Sequence, residues 1–78
     1  MNEKIFKQIM SDMEGIAVSK GEELEEKKVE IFLINKTSIK ELLKNITVCD
    51  GYVKILYHGA NLIEYKFIPY TSIVSMNF

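Results

Sequence analysis

The chain has 78 residues, 47% of them hydrophobic, and a formal net charge of −1 at pH 7. A chain of this length forms a single domain, and folding buries only about 60 to 65% of its unfolded surface, so its stability is marginal. All ten basic residues are lysine. Without arginine and without a large positive charge, the chain is not expected to bind DNA, which bidentate guanidinium groups commonly contact.

One cysteine and one histidine limit the chemistry that the chain can perform. Cys49 has no partner for a disulfide or a zinc site, and we expect it to be a small buried apolar residue. His58 lies beside Gly59 in a predicted turn, where we expect it to be solvated. The sequence has no glycine-rich phosphate loop and no glycine-flanked serine. It therefore predicts a protein that is not an enzyme and that uses no metal or cofactor.

The sequence gives no indication of membrane insertion or export. The N-terminal residues carry charges and lack the continuous apolar stretch of a signal peptide. No apolar run reaches the roughly 18 residues that a membrane span requires. We therefore expect a cytoplasmic protein with no membrane partner.

Residues 3–14 predict an amphipathic helix, with Asn2 as its N-cap and Gly15 as its stop. Its polar face carries charges of both signs, so we expect the apolar stripe to cover a core or a subunit contact rather than a membrane surface. The apolar stripe of this helix consists of Ile5, Phe6, Ile9, Met10 and Met13.

Residues 19–28 contain little apolar surface and predict a solvated linker.

Four later segments have strand character. The segment 61–68 alternates, with Ile63, Tyr65 and Phe67 on one side and charged residues on the other, which predicts a half-solvated strand. The proline at 69 interrupts the last apolar run, because proline cannot donate within a ladder and suits a tight turn. The four segments are VEIFLIN (29–35), DGYVKILYHG (50–59), NLIEYKFI (61–68) and SIVSMNF (72–78).

Residues 37–48 fit two structures. Their apolar residues lie at helical spacing, and Ser38 with Glu41 would form a capping box, so a helix at 38–46 and an α+β fold are one prediction. The other prediction is a bent strand of a small barrel, with apolar residues on both faces. The apolar residues concerned are Ile39, Leu42, Leu43 and Ile46.

Residues 29–78 resemble the Hfq family of bacterial Sm-like RNA-binding proteins. VEIFLIN resembles the family's first strand, whose pattern is close to V-x-V-x-L-x-N-G, and Asp50, Tyr52 and Val53 resemble the opening of its third strand. IPYTSIV occupies the place of the turn between strands four and five, with Ile68 and Ile73 as apolar flanks. In that family the counterpart of 37–48 is extended. The resemblance thus implies a mainly β fold, in which an N-terminal helix precedes a five-stranded, strongly bent antiparallel SH3-like or Sm-like barrel.

The resemblance also implies a function. Sm-like proteins form rings through their edge strands and bind single-stranded RNA, so we expect a homo-oligomer of about six subunits that binds A- or U-rich RNA as a post-transcriptional regulator. The RNA-binding positions implied in this way are Gln8, Phe32, Lys36, Asp50, Tyr52, Tyr70 and Thr71.

The sequence departs from the family at several places. Lys36 and Glu41 replace two glycines. The family's Tyr-Lys-His corresponds either to Pro69-Tyr70-Thr71, in the register without gaps, or to Tyr65-Lys66-Phe67, which matches two of its letters but lies too early in the chain. Since no histidine is supplied there, a second hypothesis remains open. In it, the chain is an oligomeric protein-interaction module of Sm-like fold that does not bind RNA.

Overall fold

One helix precedes six short strands in the computed structural model, which describes all 78 residues. The mainly β class with an N-terminal helix is thereby confirmed. Short 3₁₀ turns lie at Leu24–Glu26, Leu43–Asn45 and Tyr70–Ser72. The longer elements are α1 (Glu3–Ser19), β1 (Lys28–Leu33), β2 (Ser38–Leu42), β3 (Ile46–Val48), β4 (Tyr52–His58), β5 (Ile63–Pro69) and β6 (Ile73–Asn77).

Helix α1 begins where the sequence predicts and ends later. The Asn2 side chain accepts the N–H of Ile5 at 2.8 Å, as an N-cap does. The helix then passes through Gly15, so its predicted end at residue 14 is wrong. Ala17 is fully buried on the same face, and packing of this last turn outweighs the roughly 1 kcal/mol that a glycine costs inside a helix.

The buried face of α1 is rotated slightly from the predicted stripe. Ile5 is 49% exposed and Ile9 is only partly buried against the core, although both belong to the apolar periodicity. The residues that α1 buries fully are spaced by four, three and four positions: Phe6, Met10, Met13 and Ala17.

Residues 19–28 are more structured than the predicted linker. Leu24 packs against the core within its 3₁₀ turn, and the Lys27 carbonyl accepts the N–H of Leu43 at 2.8 Å. Glu22 forms an ion pair with Lys27, and Lys28 already belongs to β1. A single apolar side chain and one backbone hydrogen bond thus fasten this segment to the domain, although most of its residues are exposed.

The six strands form two antiparallel sheets, ordered β2–β1–β6 and β3–β4–β5. Val29 and Ile31 of β1 and Val53 and Ile55 of β4 are fully buried. The inner faces of both sheets and the buried face of α1 contribute to one hydrophobic cluster of 13 residues. The core therefore lies between the sheets, with the helix as its third wall.

Residues 37–48 form β2, a 3₁₀ turn and β3, rather than a helix. Because β2 pairs with β1 and β3 pairs with β4, this segment carries the chain from one sheet to the other. Ile39, Leu43 and Ile46 are all buried, since the turn at Leu43–Asn45 sets the three side chains inward on both of its sides. The alternative helix at 38–46 is therefore wrong, and the interruption produces six strands where five were predicted.

A second corner joins β5 to β6. Pro69 ends β5 with φ −60° and ψ 143°, a conformation that the proline ring favours. The turn at Tyr70–Ser72 then leads into β6, which pairs with β1. Ile68 and Ile73 are buried on either side, as predicted. Strands β5 and β6 each pair on one side only, as do β2 and β3, so each sheet has two edge strands.

Replacing Phe6 by alanine tests whether α1 is an integral wall of the core. Phe6 is fully buried, and its ring centroid lies 5.2 Å from that of Tyr70. We expect Phe6→Ala to lower the free energy of unfolding by about 3 to 5 kcal/mol in urea titrations, because it opens a cavity. The adjacent control, Ile5→Ala, should cost less than about 1 kcal/mol, since its side chain is half exposed. Equal losses in the two variants would contradict this packing.

Candidate functional site

Three connections meet at one end of the molecule, which we term the loop end: residues 34–37, 49–51 and 70–72. The N–H of Ile34 donates to the Ser72 carbonyl at 3.0 Å. The Tyr70 hydroxyl donates to the Cys49 carbonyl at 2.7 Å. These two bonds join the turn at the β5–β6 corner to both neighbouring turns.

The N-terminus of α1 is fastened to the same end. Glu3 Oε1 accepts the N–H of Gly51 at 2.8 Å, and Glu3 Oε2 accepts from Lys7 Nζ at 2.8 Å. The bond from Lys7, followed by that from Gly51, lowers the pKa of Glu3. Gly51 has φ +85°, a conformation that glycine adopts without strain. The Met1 amino group donates to the Ile73 carbonyl at 2.9 Å, so the helix start is held at two points.

Tyr70 belongs to the core rather than to the surface of the loop end. It is 3% exposed, its ring packs against Phe6, and burial raises the pKa of its hydroxyl. The expectation that Tyr70 is presented to a ligand is therefore wrong. The 3₁₀ turn directs this ring inward between Ile68 and Ile73, whereas a simple turn would have presented it to solvent.

The structure places the other predicted positions on three different surfaces. Asp50, Tyr52 and Thr71 are exposed at or beside the loop end, and Lys36 lies in its 34–37 turn. Gln8 is exposed on α1, where its amide donates to Asp12 at 2.9 Å. Phe32 is half-buried on the first sheet, flanked across the strands by Ser38 and Ser75.

The outer surface of the second sheet is apolar, and we term it the aromatic face. The alternation predicted for β5 is present, but its apolar side faces solvent: Ile63 is 68%, Tyr65 58% and Phe67 61% exposed. The charged residues of β5 lie on the other side of the strand and are only partly buried, with the Glu64 and Lys66 side chains 42% and 37% exposed. Lys66 Nζ lies 4.8 Å from the centroid of the half-buried Tyr57 ring. The aromatic face consists of Tyr52, Lys54 and Leu56 of β4 with Ile63, Tyr65 and Phe67 of β5.

Three aromatic rings on this face contact one another in a row. The Tyr52 and Phe67 centroids lie 6.0 Å apart, and those of Phe67 and Tyr65 lie 6.4 Å apart. Lys54 Nζ lies 5.7 Å from the Tyr65 centroid, within the range of a cation–π contact. One end of the row, at Tyr52, borders the loop end.

A shallow pocket of about 160 Å³ continues the aromatic face toward β3. Its mainly polar lining combines the side chains of Leu56 and Tyr65 with amine, amide and hydroxyl groups and contains no carboxylate. Neither lysine of the lining forms an ion pair. The lining residues are Lys44, Asn45, Thr47, Lys54, Leu56 and Tyr65.

Glu41 is a buried carboxylate that sequence reasoning did not single out. It accepts the N–H of Leu42 at 2.7 Å, the Asn45 amide at 2.9 Å and the N–H of His58 at 2.9 Å. His58 is exposed, as predicted, and its Nδ1 lies 3.2 Å from Glu41 Oε1. Burial alone would raise the pKa of Glu41, but the hydrogen bonds outweigh it and lower the pKa to about 2. The carboxylate thus ties the β2–β3 corner to the end of β4.

The sequence contained only a weak signal for this cluster. Glu41 suggested a helix-capping residue, because Ser38 precedes it by three positions. In the structure, Ser38 instead donates to Glu30 across the first sheet at 2.9 Å. His58 is distant in sequence from Glu41, and only the pairing of the strands brings them together.

Comparisons with known proteins give no relative from which a function could be transferred. No family model, curated protein or solved structure matches the chain. Helix α1 has 17 residues, and no helix has the length and apolar character that crossing a membrane would require. The function therefore has to be inferred from the surfaces described above.

Replacing Glu41 by glutamine tests the buried carboxylate. At neutral pH we expect Glu41→Gln to lower the free energy of unfolding by about 1 to 3 kcal/mol, because one amide cannot accept from all the donors. Since the pKa of Glu41 is lower in the folded state, the wild type should lose stability as the pH falls from 4.5 toward 2. The Glu41→Gln variant should lose less stability over that pH interval.

Urea unfolding across this pH interval measures the difference. Glu14→Gln serves as a matched control, since it removes an exposed carboxylate from α1. If Glu41→Gln and the wild type lost stability in parallel, the ionised buried carboxylate would not be the cause.

Proposed function

We propose that this chain is a non-enzymatic Sm-like protein that assembles into a ring of about six subunits and binds single-stranded RNA. The observation that carries the proposal is that β5 and β6 each lie at an edge of their sheet, with one side free to pair with another chain. In Sm-like rings the fourth strand of one subunit pairs with the fifth strand of the next. The counterparts of those strands are β5 and β6, because the second strand of the family corresponds to β2 and β3 together.

The order of the elements supports an Sm-like barrel. A helix is followed by a hairpin, by a bent segment that crosses between sheets, and by a short turn before the last strand. The backbone conformation at Lys36 also fits the pattern of the Sm-like family. This residue stands where the family has glycine, and its φ is +68°, a conformation that glycine adopts most readily.

Edge pairing would also relieve a weakness of the isolated chain. An open strand edge presents unpaired N–H and C=O groups and is prone to pair with another chain. Val74 of β6 is in addition 58% exposed. A ring closes the edges of β5 and β6 in every subunit by the same contact, so that no growing fibre results.

The surfaces beside the loop end support RNA as the ligand. Tyr52 presents an exposed ring, and Lys36 provides an exposed amine in the neighbouring turn. Aromatic stacking contributes about 1 to 3 kcal/mol per base, and lysine attracts phosphate. Such a ring would act as a post-transcriptional regulator by binding A- or U-rich single-stranded RNA.

One set of observations favours the second hypothesis, a ring of the same kind that binds proteins and no RNA. Tyr70 is buried, and the carboxylates of Glu3 and Asp50 lie at the loop end, where they would repel phosphate. In that case the ring remains and the RNA ligand is absent, so assembly and RNA binding require separate tests.

Light scattering tests assembly. We expect a mass of about six times the 9.0 kDa of one chain, because six or so copies can close both edges of every subunit. The mass should be independent of protein concentration in the micromolar range. A monomer or a simple dimer would rule the ring out.

An RNA titration tests the ligand. We expect oligo(A) or oligo(U) to bind at low salt and to dissociate as salt is added, because lysine–phosphate contacts release counterions. Tyr52→Ala should weaken binding at least about fivefold, whereas Tyr52→Phe should retain it because the ring remains. Absence of binding by the wild type at low salt would leave the protein-interaction hypothesis.

A further inference from the structure

We propose that single-stranded RNA lies along the aromatic face, with bases stacked on Tyr65 and Phe67 and a phosphate held by Lys54. The inference rests on the RNA binding proposed above and names the surface that performs it. It extends the contact beyond the loop end, since Tyr52 belongs to both surfaces.

The first argument is the orientation of β5. A half-solvated strand normally turns its apolar side toward the core, yet β5 exposes Ile63, Tyr65 and Phe67 and places the partly buried Glu64 and Lys66 on its other side. Contiguous exposed apolar side chains on a protein surface mark an interaction site. The outer surface of the first sheet provides a contrast, because it is formed mainly by serine, lysine, glutamate and asparagine.

The second argument is the chemistry of the face. The three rings form a row with centroid separations of 6.0 and 6.4 Å, which provides successive ring surfaces and edges for unstacked bases. Aromatic rings on a sheet are a recurrent means of binding single-stranded RNA without reading every base. The pocket beside Tyr65 adds the hydroxyl of Thr47, whereas the Asn45 amide donates to Glu41.

The third argument is charge complementarity. Lys54 lies in the middle of the face and Lys44 at its margin, neither forms an ion pair, and the pocket between them contains no carboxylate. This region is therefore locally cationic although the whole chain has a net charge of −1. A polyanion matches both its apolar and its cationic groups.

Charge also argues against a second copy as the occupant. A twofold contact between two aromatic faces would bring Lys54 toward the Lys54 of the other copy in an apolar interface, and an unpaired buried charge there is costly. Edge pairing through β5 does not cover the face, because it uses backbone groups in the plane of the sheet.

The largest groove of the molecule, about 430 Å³, provides a matched control surface. Lys27 Nζ lies 4.6 Å from the Phe78 ring centroid, which resembles the Lys54–Tyr65 pair. Lys27, however, is already paired with Glu22, and Glu26 and Glu30 line the same groove. The lysine of this aromatic–lysine pair is therefore neutralised by a carboxylate, unlike Lys54 beside Tyr65, although Lys28 and Lys40 of the same lining form no ion pair.

The test compares variants of the two surfaces. The probes are fluorescein-labelled oligo(A) and oligo(U) of about ten nucleotides, a length typical of single-strand sites. Tyr65→Leu and Phe67→Leu should each weaken binding about fivefold or more, because leucine keeps apolar contact but cannot stack. Lys54→Gln should reduce the slope of log affinity against log salt by about 0.7, the value for one phosphate contact on a single strand. Phe78→Leu should bind as the wild type does.

Any other result contradicts the inference, and the results also distinguish its failure from the failure of the proposed function. If the wild type binds and the face variants bind equally well, RNA uses another surface and the proposed function stands. If the wild type does not bind, the inference and the RNA-binding function both fail. If Tyr65→Leu or Phe67→Leu lowers the mass in light scattering while Lys54→Gln leaves the salt slope unchanged, the face is a subunit contact.

Discussion

Two 3₁₀ corners, at Leu43–Asn45 and Tyr70–Ser72, constrain the rest of the structure, because each carries the chain from one sheet to the other. A polar group fixes each corner. The carboxylate of Glu41 accepts from Asn45 in the first corner and from His58 at the end of β4, and the hydroxyl of Tyr70 in the second corner donates to the Cys49 carbonyl in the neighbouring turn. No buried side-chain polar atom lacks a partner, so the corners close without the cost of an unpaired group. Once they are closed, the alternation of each strand decides which side chains face the core and which face solvent.

Much of this fold could be predicted from local patterns. The N-cap at Asn2, the four clear strand segments and the inward positions of Ile68 and Ile73 follow from periodicity and turn chemistry, which act over a few residues. The helix end and Tyr70 could not be predicted in this way. Gly15 is a good local stop, but packing of Ala17 against the core overrides it. Tyr70 has polar and turn-forming neighbours, and only the closure of the second corner places its ring against the helix.

The candidate site was predictable only in part, for the same physical reason. Periodicity correctly separated the two sides of β5, yet it could not tell which side faces the core, because that depends on where β4 and the corner place the strand. An apolar set of side chains is assigned inward by default, and here it is outward. The contact of Glu41 with His58 could not be predicted either, because the two residues are distant in sequence and only strand pairing brings them together. Both cases show long-range contacts overruling a local preference.

A domain of this size has too little interior to bury all of its large apolar side chains. Several of the exposed ones lie on α1 and in the turns, but Tyr52, Ile63, Tyr65 and Phe67 lie together on the aromatic face, while the outer surface of the first sheet is mainly polar. The two uses proposed for β5 do not compete for the same atoms. Edge pairing employs N–H and C=O groups in the plane of the sheet, whereas stacking employs rings that stand perpendicular to it. Assembly would moreover fix β5 as an inner strand of a wider sheet, and its rings would then present a more rigid surface to a flexible single strand, which reduces the ordering cost of binding.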